Sequence, residues 1–299
     1  MKHPLFGAIE VGGTKIVCGV ATDPTNFIVT KRIPTRDPET NLKEITDLFE
    51  ACVAEYGELT SIGVASFGPI DIDPQSDSYG TFLKTPKVGW SEFALRKHLA
   101  DALSVPVSIT TDVNGALLAE AAYGAAQGFS NAVYVTVGTG LGGGIIVNGD
   151  LVSGFMHPEI GHMRIPSNGV AGSCPFHGNC LEGLVCGPAI AKRAGRDPQL
   201  IDADDAIWDE VAVNLADMCV NLLTILSTEL IIIGGGVMGV DGLLGKIRSE
   251  TEKRLAGYLP IDSRVGGIEK LIVLPSLGDQ SGLTGALLLA KASKERATG

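Results

Sequence analysis

Leu5-Phe6-Gly7-Ala8-Ile9-Glu10-Val11-Gly12-Gly13-Thr14-Lys15-Ile16-Val17-Cys18-Gly19-Val20 runs from an apolar stretch through a polar glycine turn into a second apolar stretch. That order predicts strand, turn, strand, a hairpin with polar groups at its tip. The pattern returns at Val133-Tyr134-Val135-Thr136-Val137-Gly138-Thr139-Gly140-Leu141-Gly142-Gly143-Gly144-Ile145-Ile146-Val147, which ends in the turn Asn148-Gly149-Asp150. The two copies lie too far apart for a solenoid repeat. They predict a duplicated α/β domain in which each half opens with a hairpin and ligands enter a cleft between the halves.

The segments between these hairpins fit that plan. Residues 42–56 carry Leu42, Ile45, Leu48, Phe49, Cys52 and Val53 at helical spacing, and Ser61–Phe67 has the pattern of a short buried strand. Val107–Thr110 reads as another strand, with Asp112 after it and an alanine-rich helix to about Tyr123. Further on, 206–229 is a long amphipathic helix, followed by the strand Leu230–Ile233 and the glycines Gly234-Gly235-Gly236. A strand that runs into glycines marks a ligand edge. The stretch from Ser281 to Ala290 reads as a helix. The expected domains are therefore 1–120, completed by a carboxy-terminal helix at about 286–299, and 121–285.

At 299 residues the chain is long enough for two domains. It is 45% hydrophobic and 19% charged with 39 glycines, the composition of a soluble α/β enzyme. No apolar run approaches the roughly 20 residues that span a bilayer, and Met1-Lys2-His3-Pro4 leads into a strand without a cleavable signal, so a cytoplasmic protein with no membrane partner is expected. A net charge of -11 argues against a nucleic-acid partner. Any phosphate must then be held by local groups.

Glycine tips can turn several N–H groups toward one anion. Gly12-Gly13-Thr14-Lys15 and Gly138-Thr139-Gly140 are candidates, with Gly234, Gly235 and Gly236 as a third set. Either hairpin alone reads equally as a tight turn, and Lys15 equally as a solvated lysine; two tips in matching positions favour phosphate. Gly138-x-Gly140-x-x-Gly143 also satisfies a dinucleotide fingerprint, but a strand and turn follow where that fingerprint needs a helix. A Walker-type loop is absent.

Cys18, Cys52, Cys186 and Cys219 lie among apolar neighbours and are expected to pack as small hydrophobes. Cys174-x-x-His177-x-x-Cys180 is different, because it spaces three metal-binding side chains evenly in a glycine-rich loop. With His162 or His157 as a fourth ligand, the set suits tetrahedral zinc. The alternative is a group of unrelated surface residues.

Glu10-Val11-Gly12-Gly13-Thr14-Lys15, the glycine stretch from Val135 to Gly149, Glu159-Ile160-Gly161-His162 and the cysteine cluster together resemble the ROK family of sugar kinases and regulators, over nearly the whole chain. Glu10, where glucokinases of the family usually carry Asp, and Thr85-Pro86-Lys87-Val88-Gly89-Trp90 resemble its bacterial fructokinase subgroup. The resemblance implies a two-domain actin- and hexokinase-like (ribonuclease H-like) fold, ATP with Mg²⁺, a structural Zn²⁺, a hexose substrate phosphorylated at its primary hydroxyl, and a homodimer. It implies that Asp112 is the general base, although position alone reads it as a helix N-cap. Glu10 would lie near the magnesium. Gly68, Asn114, Glu159, His162 and Glu182 would contact the sugar, unless Glu182 only braces the metal loop. His162 is favoured over His157 as the fourth ligand, although the family usually places a third cysteine where His177 stands. Regulators of the family add a helix-turn-helix ahead of the first strand; with that strand starting at Leu5, no such module is expected here.

Overall fold

Short runs of β-branched and aliphatic residues set the strands, and glycine turns and helix caps end them. In the computed structural model, residues 4–298 apart from Thr25 and Asn168 are described, with side chains as far as residue 293. Met1–His3 of the amino-terminal reading and Gly299 of the expected last helix lie outside the described residues. Chain order is β1 (Leu5–Val11), β2 (Lys15–Asp23), β3 (Asn26–Pro34), α1 (Pro38–Tyr56), β4 (Leu59–Ser66), α2 (Leu95–Leu103), β5 (Val107–Thr111) and α3 (Asp112–Tyr123). It continues through β6 (Ala132–Val137), β7 (Leu141–Val147), β8 (Asp150–Leu151), α4 (Leu181–Val185), α5 (Gly187–Ala194), α6 (Ile207–Leu226) and β9 (Leu230–Gly234). Last come α7 (Leu243–Leu255), α8 (Ile261–Arg264), α9 (Ile268–Leu271), β10 (Ile272–Val273) and α10 (Ser281–Thr298).

The chain divides into two compact units. The first is Met1–Ala119 with Ser153–His157 and Asp279–Gly299; the second is Glu120–Val152 with Pro158–Gly278. Each holds a five-stranded sheet, ordered β3-β2-β1-β4-β5 in the first and β10-β9-β6-β7-β8 in the second. β1 pairs antiparallel with β2 and parallel with β4, and β6 likewise pairs antiparallel with β7 and parallel with β9. The topology is therefore the same in both, which is the duplication that the paired hairpins predicted. The tip after β1 corresponds to the tip after β6, and the end of β4 to the end of β9.

In the first unit, period-two alternation sends Leu5, Ile9 and Val11 of β1 to one face, where they pack with Ile45, Phe49 and Leu99 of α1 and α2. Phe6 and Ala8 face the other way and pack with Leu283, Ala286, Leu287 and Ala290 of α10. Helix α1 begins four residues before the apolar spacing alone suggests, because Asp37 accepts the Thr40 N–H at 2.9 Å and Pro38 starts the first turn. Helix α10 starts at Ser281, several residues before 286. Its Gly285 lies so close to the backbone of Gly115 that a β-carbon would meet the Gly115 Cα at 2.7 Å.

In the second unit, Val133, Val135, Val137, Ile231 and Ile233 form the sheet side of a core completed by Trp208, Leu215, Met218 and Leu222 of α6. The Trp208 indole N–H is satisfied by the Asp202 carbonyl at 3.0 Å. Among the described residues, no helix is long and apolar enough to cross a membrane.

Candidate functional site

In the first unit, the β1–β2 tip has every carbonyl held. The Thr35 hydroxyl donates to Gly12 O at 2.7 Å, the Lys87 ammonium to Gly13 O at 2.6 Å, and the Thr35 N–H to Thr14 O at 3.0 Å. The Gly12 N–H is used within the turn, donating to Lys15 O at 2.9 Å, so it is not available to an anion. The N–H groups of Gly13 and Thr14 donate to no protein acceptor among the described residues. A pair of amides left open at a tight turn can receive an anion. Thr35 and Lys87 were not expected at this tip; nothing in the spacing of the sequence places them there.

Glu10 follows Ala8 on the α10 face of β1. Its carboxyl carbon lies 2.5 Å from where a β-carbon on Gly282 would stand, so a side chain at that point of α10 would displace the carboxyl group. Burial pushes the Glu10 carboxyl above the usual range; Lys15 and Arg32 oppose this and Asp279 adds to it.

At the end of β5, the helix-cap alternative for Asp112 is taken by its neighbour. The Thr111 hydroxyl accepts the Asn114 N–H at 3.2 Å, the bond an N-cap side chain makes to the third helical residue. Asp112 stands at the first helical position, half-buried, with Oδ1 accepting the Val113 N–H at 2.9 Å. Asn114 is 1% exposed; its amide N–H donates to Thr110 at 3.2 Å while its carbonyl oxygen has no hydrogen-bond partner. A buried acceptor left open has the form of a hydroxyl-binding position. Gly68 follows β4 in a turn buttressed by His157, whose Nε2 accepts the Ile70 N–H at 3.4 Å. His157 thus serves the first unit's turn.

In the second unit, Gly138 and Gly140 close the β6–β7 tip through Gly138 N–H to Gly140 O at 2.9 Å, with the Gly187 N–H of α5 on Gly138 O at 2.7 Å; Thr139 is exposed between them. Glu182 of α4 accepts the Leu141 N–H at 2.9 Å, so it braces this tip. Gly234 ends β9, and Gly235 has φ +92° with its α-carbon against the Val137 backbone, a conformation and an approach that exclude a side chain. Gly236 opens the 3-10 turn that follows. Glu159 precedes the 3-10 turn Ile160–His162, and burial together with the charge of Glu182 pushes its carboxyl up to about 7.

His162, Cys174, His177 and Cys180 converge, with their ligand atoms all within 4.8 Å of one another. Cys174 and Gly178 exchange backbone hydrogen bonds that close the turn carrying His177, and the Leu181 N–H donates to Met163 O, which seats Cys180 beside His162. His162 Nδ1 lies 3.5 Å from Cys180 Sγ and 3.8 Å from Cys174 Sγ, and His177 Nδ1 lies 3.7 Å from Cys174 Sγ. Zinc bonds of about 2.0–2.3 Å in a tetrahedron require ligand separations of about 3.6 Å, so the donor set and its spacing fit zinc. Burial pushes the Cys180 thiol up to about 11, which makes its ionisation dependent on a cation at the centre.

The family model "ROK family" matches residues 6–293. The fructokinase of Zymomonas mobilis subsp. mobilis is 39% identical over 301 residues, covering 98% of each chain. Among solved structures, the ROK hexokinase from Thermus thermophilus superposes with a TM-score of 0.79 at 27% identity, over 99% of this chain and 100% of that one. A ROK family glucokinase from Streptomyces griseus in complex with glucose and AMPPNP superposes with a TM-score of 0.74 at 26% identity, over 96% and 99%.

Proposed function

The chain belongs to the ROK family, and from that premise we propose that it transfers the terminal phosphoryl group of ATP to the primary C6 hydroxyl of D-fructose. The observation that carries this reading is Asp112: a carboxylate at the first position of a helix whose cap is already supplied by Thr111, two residues before an asparagine with an open buried acceptor. Its supporting context is 39% identity to a fructokinase along the whole chain, against 26% to the relative whose structure holds glucose.

In this reading Asp112 accepts the hydroxyl proton as that oxygen bonds to the γ-phosphorus and the bond from phosphorus to the β,γ-bridging oxygen breaks, releasing ADP. Gly68, Asn114, Glu159, His162 and Glu182 are assigned to the other sugar hydroxyls. With Nδ1 of His162 toward the metal, Nε2 is the nitrogen assigned to the sugar. Gly13, Thr14 and Lys15, with Gly138, Thr139, Gly140 and Gly234–Gly236, hold the nucleotide; Gly12 contributes through the shape of the turn. Glu10 would hold Mg²⁺ directly or through water, and the ion would supply charge neutralisation on the phosphate oxygens. His162, Cys174, His177 and Cys180 would hold zinc with no open position, which makes the site structural. The protein is expected to act in the cytoplasm as a homodimer, which light scattering on the 31.1 kDa chain would check.

The test is ADP release with Mg-ATP against fructose, glucose, mannose and N-acetylglucosamine. Fructose should give the highest kcat/KM. A higher value with another sugar would keep the kinase and replace the substrate, while no turnover with any of them would favour a sugar-binding regulator.

A further inference from the structure

The segment Thr85–Trp90 is held rigidly in the first unit. Trp90 is 1% exposed among Phe67, Phe82 and Phe93, with its indole N–H on Arg36 O at 2.8 Å. Thr85 and Ser91 close the segment by two hydrogen bonds, Thr85 N–H to Ser91 Oγ at 3.1 Å and Ser91 Oγ to Thr85 O at 3.0 Å. Lys87 projects from this fixed loop, half-buried, and its ammonium donates to Gly13 O, 74 positions away in the chain.

A lysine ammonium has three N–H donors, and only one is spent on Gly13. Among the described residues Lys87 makes no ion pair with any carboxylate, although the chain carries 34 acidic residues against 23 basic ones. Holding a flexible lysine in one geometry costs side-chain entropy, and a neutral donor such as the Thr35 hydroxyl on Gly12 O would tie a carbonyl equally well. What the ammonium adds is a full positive charge, beside two unengaged N–H groups, at the tip that the proposed function assigns to the nucleotide.

We propose that Lys87 is a further catalytic residue, whose ammonium contacts the transferred phosphoryl group of the nucleotide at the β1–β2 tip. The inference rests on reading that tip as a phosphate loop, and not on the identity of the sugar. Lys87 gives up no proton in the reaction; its two remaining N–H groups hydrogen-bond non-bridging oxygens of the terminal phosphate, and they do so more strongly as charge shifts there.

The test is calorimetric titration of Mg-AMPPNP and Mg-ADP into wild type, Lys87→Met, Lys87→Gln and Lys87→Arg, without sugar. Loss of a charge-assisted hydrogen bond to the terminal phosphate should weaken AMPPNP by about tenfold or more in Lys87→Met and Lys87→Gln, and ADP by less than about twofold. Lys87→Arg should keep most of the preference for AMPPNP. A role confined to tying the loop would weaken both nucleotides alike in Lys87→Met and be rescued by the neutral donor of Lys87→Gln, and either result would overturn the proposal. Because the readout is the ratio of two affinities on one preparation, partial unfolding does not imitate the effect. A wild type that binds neither nucleotide would overturn the phosphate-loop reading and this proposal with it, whereas fructose specificity would stand or fall separately in the sugar panel.

Discussion

Asp112 and Thr111 divide between them two jobs that the sequence alone assigns to one residue. An aspartate between a strand and a helix reads first as a cap, yet the cap hydrogen bond belongs to the Thr111 hydroxyl. Asp112→Asn should therefore leave the thermal midpoint close to wild type while lowering kcat by about 10²–10⁴-fold, the usual contribution of a general base. Thr111→Ala should do the reverse, costing about 1 kcal/mol in urea denaturation. Glu10 supplies a second contrast. Burial raises its carboxyl above the unfolded value despite Lys15 and Arg32. A raised pKa means the folded state binds the proton more tightly, so the ionised carboxylate destabilises the fold, and the penalty grows as pH rises through the folded pKa. Glu10→Gln should thus melt higher than wild type at about pH 8, with the gap closing toward about pH 5, while losing activity in Mg-ATP. A melting point below wild type at pH 8 would mean that the carboxylate is held for stability.

At the scale of elements, the loop proposed to hold zinc is joined to the hairpin tip through α4. Cys180 directly precedes that helix, and Glu182 within it takes the Leu141 N–H at the end of the β6–β7 tip. Metal analysis should find about one zinc per chain. Chelation, or Cys180→Ser, should lower the thermal midpoint and raise the KM for ATP, because freeing α4 releases the tip; an unchanged KM in metal-free protein would separate the loop from nucleotide binding. Helix α10 has a different constraint, lying backbone to backbone against α3, so Gly285→Ala should cost about 1–3 kcal/mol by overpacking. These elements differ in how far the sequence reveals them. The hairpins were legible because alternation and glycine are local signals, and the cysteine cluster because three of its ligands fall within seven residues. The Lys87 bond to Gly13 was not, since two segments meet that no periodicity relates. Nor was Glu120, a fully buried acid in α3 that accepts the N–H groups of Ala125, Ser276 and Leu277 and so fixes a turn more than 150 positions away. Such contacts are made by folding the sheets and leave no pattern in the local chain.

Over the whole molecule, one strand order occurs twice, yet the two copies carry different chemistry. The first unit has the candidate base, the open Asn114 acceptor and the acid assigned to magnesium; the second has the His/Cys cluster assigned to zinc and the paired acids Glu159 and Glu182. Duplication therefore accounts for where the tips and strand ends fall, while the side chains placed on them account for function. The identity to a fructokinase along the full chain, set beside Asp112, makes transfer to fructose C6 the central claim of the proposed function. It is tested most directly by phosphorus–carbon correlation NMR of the product formed from ¹³C-fructose and Mg-ATP by wild type and by Asp112→Asn. The expected result is ADP with phosphate coupled to C6 in the wild type and the same product formed about 10²–10⁴-fold more slowly in the variant; phosphate on C1, or an undiminished rate in Asp112→Asn, would contradict it.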